Sequence, residues 1–269
     1  MSATVELPPA VEEKLLLRQD ANGIATLTLN RPKQYNALSE DLLSELQSAL
    51  RAIETDVSVR VLVIAGNGPA FCAGHDLKQM RANPSKAYYQ KLFAQCSDVM
   101  QSITRIPQPV IARVHGIATA AGCQLVAQCD LAVASDNARF AVSGINVGLF
   151  CSTPSVPLGR NVLRKQAMEM LLTGDFIGAA TAVERGLINR AVQADQLDAA
   201  VDELAQKILA KSSVAVSIGK QMFYKQMEMG MDGAYQYAAE VMACNMMADD
   251  VGEGIDAFMA KRPPHWTGR

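Results

Sequence analysis

Residues 110–135 read VIARVHGIATAAGCQLVAQCDLAVAS, and the order of patterns within them decides the fold. Val110 to Val114 is a short apolar run of the kind that forms a strand covered on both faces. Small residues through Gly116 and Thr119-Ala120-Ala121-Gly122 lead into a helix expected over Ala121 to Cys129, and Leu131 to Ser135 then repeats the strand character. Strand, helix and strand in that order make a βα unit of a largely parallel sheet. Working outward, Val59 to Gly66 (VRVLVIAG) is another buried-strand run, and helical segments are expected over Ser39 to Thr55 and Ser85 to Ile103. Ser39 followed by Glu40 and Asp41 supplies a helix cap with acids in the first turn. Nearer the start, Leu15 to Asp20 and Ile24 to Asn30 alternate around Ala21-Asn22-Gly23, the sign of a hairpin with a tight turn. Beyond about Phe140 strand signals fade, and helices are expected over Arg164 to Leu172, Ala179 to Glu184, Leu197 to Lys211, Val214 to Tyr224, Gly233 to Met247 and Gly252 to Met259. The expectation is an α/β core over residues 1–190 and a helical region over 191–269, the boundary falling between Leu187 and Asp195.

Composition narrows the partners. Lys and Arg number 25 against 27 Asp and Glu, a net charge of -2, so nothing in the overall field draws the chain to nucleic acid or an anionic membrane. An anionic ligand must be held by local donors. The six cysteines form no CxxC pair and read as reduced, mostly buried thiols of a reducing compartment. Apolar stretches are broken well short of a membrane span, and Met1 to Glu13, with three acids and Pro8-Pro9, has neither the basic start nor the apolar run of a secretory signal. The expected location is the cytoplasm, or the mitochondrial matrix if a presequence has been removed. His115 and His265 lack spaced carboxylate or thiol partners, so no metal is expected. The methionine-rich stretch from Met222 to Met247 reads as adaptable core or subunit interface.

Two segments can carry chemistry. Gly68-Pro69-Ala70-Phe71-Cys72-Ala73-Gly74-His75-Asp76-Leu77-Lys78 is a small-residue loop directly after a buried strand. His115 to Leu125 is a second loop that runs into a helix, where first-turn N–H groups lack partners and the helix dipole favours negative charge. If both loops meet at one sheet edge, each can give one main-chain N–H to a thioester oxygen, and an oxyanion hole needs no side-chain nucleophile.

Five ordered motifs resemble those of the crotonase (enoyl-CoA hydratase/isomerase) superfamily. They are Leu29-Asn30-Arg31-Pro32-Lys33 with Asn36-Ala37-Leu38; Phe71 to Lys78; Ala120 to Leu125 with Cys129-Asp130; Thr173-Gly174 with Ala182 to Ile188; and Phe258 to Arg262. Within it, Gly-His-Asp-Leu-Lys, Ala-Ala-Gly-Cys-Gln and Asn146 to Pro154 resemble the enoyl-CoA hydratase domain-containing subgroup. The resemblance implies a spiral of ββα units with a C-terminal helical region, assembled as a homotrimer or as a hexamer built from two trimers. It implies an acyl-CoA thioester as ligand, with coenzyme A as part of the substrate and no separate cofactor. Carried over residue by residue, the oxyanion-hole donors are the main-chain N–H groups of His75 and Ala121, the latter where the family often has glycine. Lys33, Ala73 and Lys78 match positions near the nucleotide and pantetheine, and Phe258 and Lys261 match residues that reach the coenzyme, in some members from a neighbouring subunit.

The departures concern acid–base chemistry. The two glutamates of the family's hydratases align with Gln124, whose amide has no usable pKa, and with Gly144, which has no side chain. Ser143, Asn146, Cys151, Ser152 and Thr153 are the polar residues expected nearby. His75 has a side chain that could act as a base, although its backbone is the part the resemblance uses. Asp130 reads as a capping or buried hydrogen-bonded residue. Three functions remain open from sequence: an acyl-CoA protein that stabilises a thioester enolate, an active enoyl-CoA hydratase or isomerase, and a non-catalytic acyl-CoA binder with a regulatory role. No Ser-His-Asp arrangement suggests a serine hydrolase.

Overall fold

The computed structural model describes residues 14–269; the opening segment, read above as free of a secretory signal, lies outside the described residues. The hairpin forms where its turn residues demand it. Strands β1 (Leu16–Ala21) and β2 (Ile24–Leu29) pair antiparallel, joined through Asn22 at φ 50° and Gly23 at φ 80°, the pair of left-handed residues whose twist matches a hairpin. Helix α1 (Glu40–Glu54) follows, its Ser39 cap accepting from the Leu42 N–H, and it turns Leu42, Leu43, Leu46, Leu50 and Ile53 into the core.

From there the chain winds as a spiral. Each turn lays one strand in a six-stranded sheet, one in a four-stranded sheet, and then one or two helices. The first turn is β3 (Val61–Gly66), β4 (Ala70–Cys72), α2 (Leu77–Ala82) and α3 (Lys86–Arg105). The second is β5 (Val110–Val114), β6 (Ile117–Thr119) and α4 (Ala121–Gln128), and the third is β7 (Leu131–Ser135), β8 (Arg139–Ala141), α5 (Ser152–Asn161) and α6 (Arg164–Thr173). The last comprises β9 (Ile177–Gly178), α7 (Ala179–Glu184) and β10 (Arg190–Val192), after which come α8 (Leu197–Leu209), α9 (Ser213–Gln226), α10 (Met231–Asn245) and α11 (Asp249–Met259). The sheets are ordered β1-β2-β3-β5-β7-β10 and β4-β6-β8-β9, parallel except at the β1–β2 and β8–β9 pairs. This is the expected spiral of ββα units followed by helices.

Two features differ from expectation. Strands continue past Phe140: β10 pairs in parallel with β7, Arg190 opposite Val133, so the 190/191 division falls inside a strand of the main sheet. Helix α8 also belongs with that sheet, packing Leu197, Val201 and Ala205 on Val61, Val63, Ile111 and Val133. The inner face of the same strands meets α1, α3 and α4, which is why β3 is buried along its whole length.

Helix α9 is tied back to the core by ions. Lys220 Nζ donates to the carbonyls of Ile103 (2.7 Å) and Gln108 (2.8 Å) and to Asp130 Oδ2 (2.7 Å), and the Tyr224 hydroxyl donates to Asp130 Oδ1 (2.7 Å). Asp130 also accepts the Val110 N–H at 2.6 Å, so it is the hydrogen-bonded residue expected, with its side chain 13% exposed. Desolvation pushes the Lys220 pKa down, and the facing carboxylate of Asp130 opposes that fall. The methionines of α10 and its borders are not core in a single chain: Met231, Met242, Met246 and Met247 are exposed, beside Tyr235 and Phe258. No helix among the described residues is long and apolar enough to cross a membrane.

Candidate functional site

The motif around Asn30 to Leu38 acts by bracing the first loop. Asn36 is fully buried; its Nδ2 donates to the carbonyls of Asn67 and Ala70 at 2.8 Å each, while its Oδ1 accepts the Arg31 N–H at 2.9 Å. Arg31 in turn reaches Asp76 at 3.0 Å and donates to the Ala37 carbonyl. Leu38 bridges to His75 as in a parallel sheet: its N–H donates to the Gly74 carbonyl at 2.7 Å, and its carbonyl accepts the Asp76 N–H at 3.2 Å. Alternate amides of an extended strand point to opposite sides. With Gly74 and Asp76 turned to Leu38, the His75 N–H faces away, and it has no protein acceptor among the described residues.

The second loop arrives against the first. Gly122 sits where a Cβ would lie 2.0 Å from the Cys72 carbonyl oxygen, so only glycine lets the start of α4 approach β4 this closely. Gly74, at φ +92°, lies so near the second loop that a Cβ there would be 3.1 Å from the Ala121 nitrogen. Ala120 takes φ 51° and ψ -121°, a conformation that costs an L-residue on the order of 1–3 kcal/mol and that clusters at functional sites. Its own N–H is spent on the Ala141 carbonyl at 3.0 Å. The next amide, Ala121, is the first of the helix, and it too has no protein acceptor among the described residues.

Both residues line one cavity of about 200 Å³, together with Ala73 and Gly144. The remaining wall is mostly apolar, with Leu77, Met80, Phe93, Val147, Leu149 and Phe150, and its hydroxyls and thiol come from Ser143, Ser152, Thr153 and Cys151. Ser143 shares a 2.7 Å hydrogen bond with Thr119. No Asp or Glu among the described residues lines it. A wider surface groove beside Arg113 and Asp198 contains none of the expected site residues.

His75 and Cys151 are the ionisable side chains of this wall. Both ring nitrogens of His75 are buried without a hydrogen-bond partner among the described residues, and the ring meets Phe93 edge to face at 5.5 Å. Burial pushes the His75 pKa down to about 4; the Leu38 carbonyl, close to the ring but outside hydrogen-bond geometry, opposes that only in part. The imidazole is therefore neutral at neutral pH. Burial pushes the Cys151 thiol up, and the Gly144 N–H that its Sγ accepts at 3.3 Å opposes this.

The other expected residues divide. Gln124 is 4% exposed one turn into α4, its Oε1 buried without a partner among the described residues, and it is not part of the cavity wall. Lys78 lines a groove that shares Leu77, Met80 and Val147 with the cavity. Lys33, on the turn before α1, is exposed and outside the wall, as are Phe258, 85% exposed, and Lys261. Asn146 turns to the Gly174 carbonyl instead. Sequence reasoning missed Phe93 and Met80; Leu77 lay within the first quoted loop and Thr119, the partner of Ser143, within the second, but neither was singled out. Phe93 lies within a long amphipathic helix, where only its spatial approach to His75 distinguishes it.

The sequence profile of the enoyl-CoA hydratase/isomerase family matches residues 19–269. The chain belongs to that family. Its family relatives include the rat enoyl-CoA hydratase domain-containing protein 3, mitochondrial, 44% identical over 259 residues, 96% of this chain and 86% of the relative. Among solved structures of the family, an enoyl-CoA hydratase from Mycobacterium smegmatis superposes with a TM-score of 0.93 at 58% identity, covering 94% of this chain and 99% of the other. The human enoyl-CoA hydratase domain-containing protein 3 superposes at 0.91 and 43% identity, covering 94% of this chain and all of the other.

Proposed function

We propose that this member of a family of acyl-CoA metabolism binds an acyl-CoA thioester, the N–H groups of His75 and Ala121 receiving its carbonyl oxygen and stabilising the enolate form. What supports this reading is that His75 and Ala121, whose main-chain amides have no protein acceptor among the described residues, line one largely apolar cavity. Such donors are worth most where charge develops on an oxygen out of water, roughly 3–4 kcal/mol each. Lys78, in the adjoining groove, is suited to the phosphate end of the coenzyme, with Lys33 as a second cation. Coenzyme A enters as part of the substrate, and the free thiols support a reducing compartment, cytoplasm or mitochondrial matrix.

The same wall argues against ordinary hydration, which needs carboxylates to move protons between water and the α-carbon. At Gly144 a Cβ would lie 2.5 Å from the Leu149 carbonyl oxygen and 2.8 Å from Cys151 Sγ, so no carboxylate can branch from that position until the 149–151 loop moves. Gln124 lies buried outside that wall, and its amide could not hold a proton there in any case. With two proton-transfer roles unfilled, each worth about 10²–10⁴-fold, crotonyl-CoA hydration is expected at least about 10⁴-fold below a typical hydratase rate.

The test pairs calorimetric titration with butyryl-CoA and a spectrophotometric assay of crotonyl-CoA hydration. Binding with little hydration is expected. Hydration at the rate of an efficient enzyme would make the chain an enoyl-CoA hydratase and refute the reading of Gln124 and Gly144; no binding of either thioester would end the acyl-CoA reading. We further propose a homotrimer or hexamer, supported by the exposed apolar side chains of α9 to α11, with Phe258 and Lys261 meeting the coenzyme of a neighbouring chain.

A further inference from the structure

We infer that the acyl group taken here is a medium- or long-chain one, with its first carbons in the cavity and the rest in the adjoining groove over α2. This rests on the acyl-CoA reading and adds to it the length of the chain. The cavity of about 200 Å³ has room for about seven non-hydrogen atoms, at the roughly 30 Å³ that one water-sized group occupies. A butyryl group with its thioester oxygen and sulfur already fills most of that. Anything much longer must leave the cavity.

The groove begins where the cavity stops. Leu77 and Met80, one turn apart on α2, and Val147 stand between the two and line both. Leu77 is 57% and Val147 66% exposed, so each has most of its side chain outside the packed core. Helix α3 continues a second wall from one to the other: Phe93 of the cavity and Tyr89 of the groove, one turn apart, stack with centroids at 6.4 Å and ring planes 24° apart. A short acyl group would leave this apolar strip facing water.

The groove suits hydrocarbon better than it suits the pantetheine arm, the other part of the ligand long enough to lie there. Pantetheine carries two amides, and an amide taken out of water needs a partner. Apart from Lys78 and Arg81, the side chains of the groove are apolar or, at Tyr89, have the hydroxyl spent on the Met80 carbonyl at 3.2 Å. The two cations have stems that cover hydrocarbon while the charge stays in water, which leaves the Lys78 ammonium free for a coenzyme phosphate.

The experiment is calorimetric titration of the full-length protein with butyryl-, octanoyl- and lauroyl-CoA below their micelle concentrations, with lauroyl-CoA titrated again in the presence of saturating butyryl-CoA. Burying one methylene is worth about fourfold in affinity and an open groove covers part of each, so octanoyl-CoA should bind at least about 10-fold more tightly than butyryl-CoA, and lauroyl-CoA more tightly still. Butyryl-CoA should displace lauroyl-CoA one for one. Ala82 is an exposed residue of the groove and lies outside the cavity wall. Ala82→Asp sets a carboxylate beside the chain and should shrink the ratio of lauroyl to butyryl affinity at least about 10-fold. Val147→Ser, between cavity and groove, should shrink the same ratio. Affinity that stays flat or falls beyond butyryl-CoA overturns the proposal alone, as does lauroyl-CoA that butyryl-CoA fails to displace, or a ratio unchanged in both variants. Absence of binding of all three thioesters by wild type fells the acyl-CoA reading and this one with it.

Discussion

At Gly122 the smallest possible addition is the most damaging. A methyl group there would stand 2.0 Å from the Cys72 carbonyl oxygen, a backbone atom that cannot swing aside. Gly122→Ala is expected to cost about 3 kcal/mol by overpacking and to separate the two loops that carry His75 and Ala121. Urea unfolding should show the loss, and butyryl-CoA titration should show weakened binding. His75 gives a pH signature. Between about 6.5, its ordinary value, and about 4 the unfolded chain binds a proton that the folded chain refuses. Stability should therefore fall as pH drops through that window, by up to about 1.4 kcal/mol per pH unit from this group. Unfolding midpoints at pH 7 and pH 5 should differ less in His75→Gln than in wild type. Positions 75, 121 and 144, singled out from sequence, share one cavity wall, whereas Gln124 lies outside it. What fills the space beside Gly144 was not legible in sequence, because the Cys151 sulfur arrives there through the 3-10 turn over Ser143–Val147 and the loop after it, which no local pattern encodes.

Helix α9 depends on one buried ammonium. Lys220→Met leaves the Asp130 carboxylate without its cation, and breaking such a pair typically costs 3–5 kcal/mol. Guanidinium unfolding should show that loss, with amide exchange quickening first along α9. Adding Asp130→Asn should return part of the stability, since two neutral partners cost less than a lone buried charge. Among the elements, the long ones were readable: helices over Ser39 to Thr55 and Ser85 to Ile103 show full periods and caps, and β1, β2, β3, β5 and β7 of the main sheet read as alternating or continuous apolar runs. The four-stranded sheet was not. Its strands β4, β6 and β8 are three residues each and β9 only two, too short for alternation to register, and they form because the spiral brings each turn beside the last.

The C-terminal helices present large apolar side chains to solvent in a single chain, with Met231 at 73%, Met247 at 84% and Phe258 at 85% exposed, as a surface for subunit contact would. Sedimentation velocity should find three or six chains together. Met242→Glu with Met247→Glu, at positions outside the folded core, should shift the distribution toward single chains without lowering the unfolding midpoint of those chains. The overall architecture was readable from sequence because five ordered motifs span the chain, whereas the extent of the sheet was not: β10 is only three residues long, and α8, expected as a helix over Leu197 to Lys211, acquires its place on the sheet from β3, β5 and β7.

Cys151 has a chemical consequence of its own. Enoyl thioesters are soft electrophiles, and a sulfhydryl on the same wall invites self-alkylation. Burial keeps this one protonated, so the protein should tolerate prolonged incubation with α,β-unsaturated thioesters, and intact-mass spectra should show no adduct at neutral pH. Where the 149–151 loop is loosened by substitution, covalent labelling should appear, and its rate would report how often the wall opens.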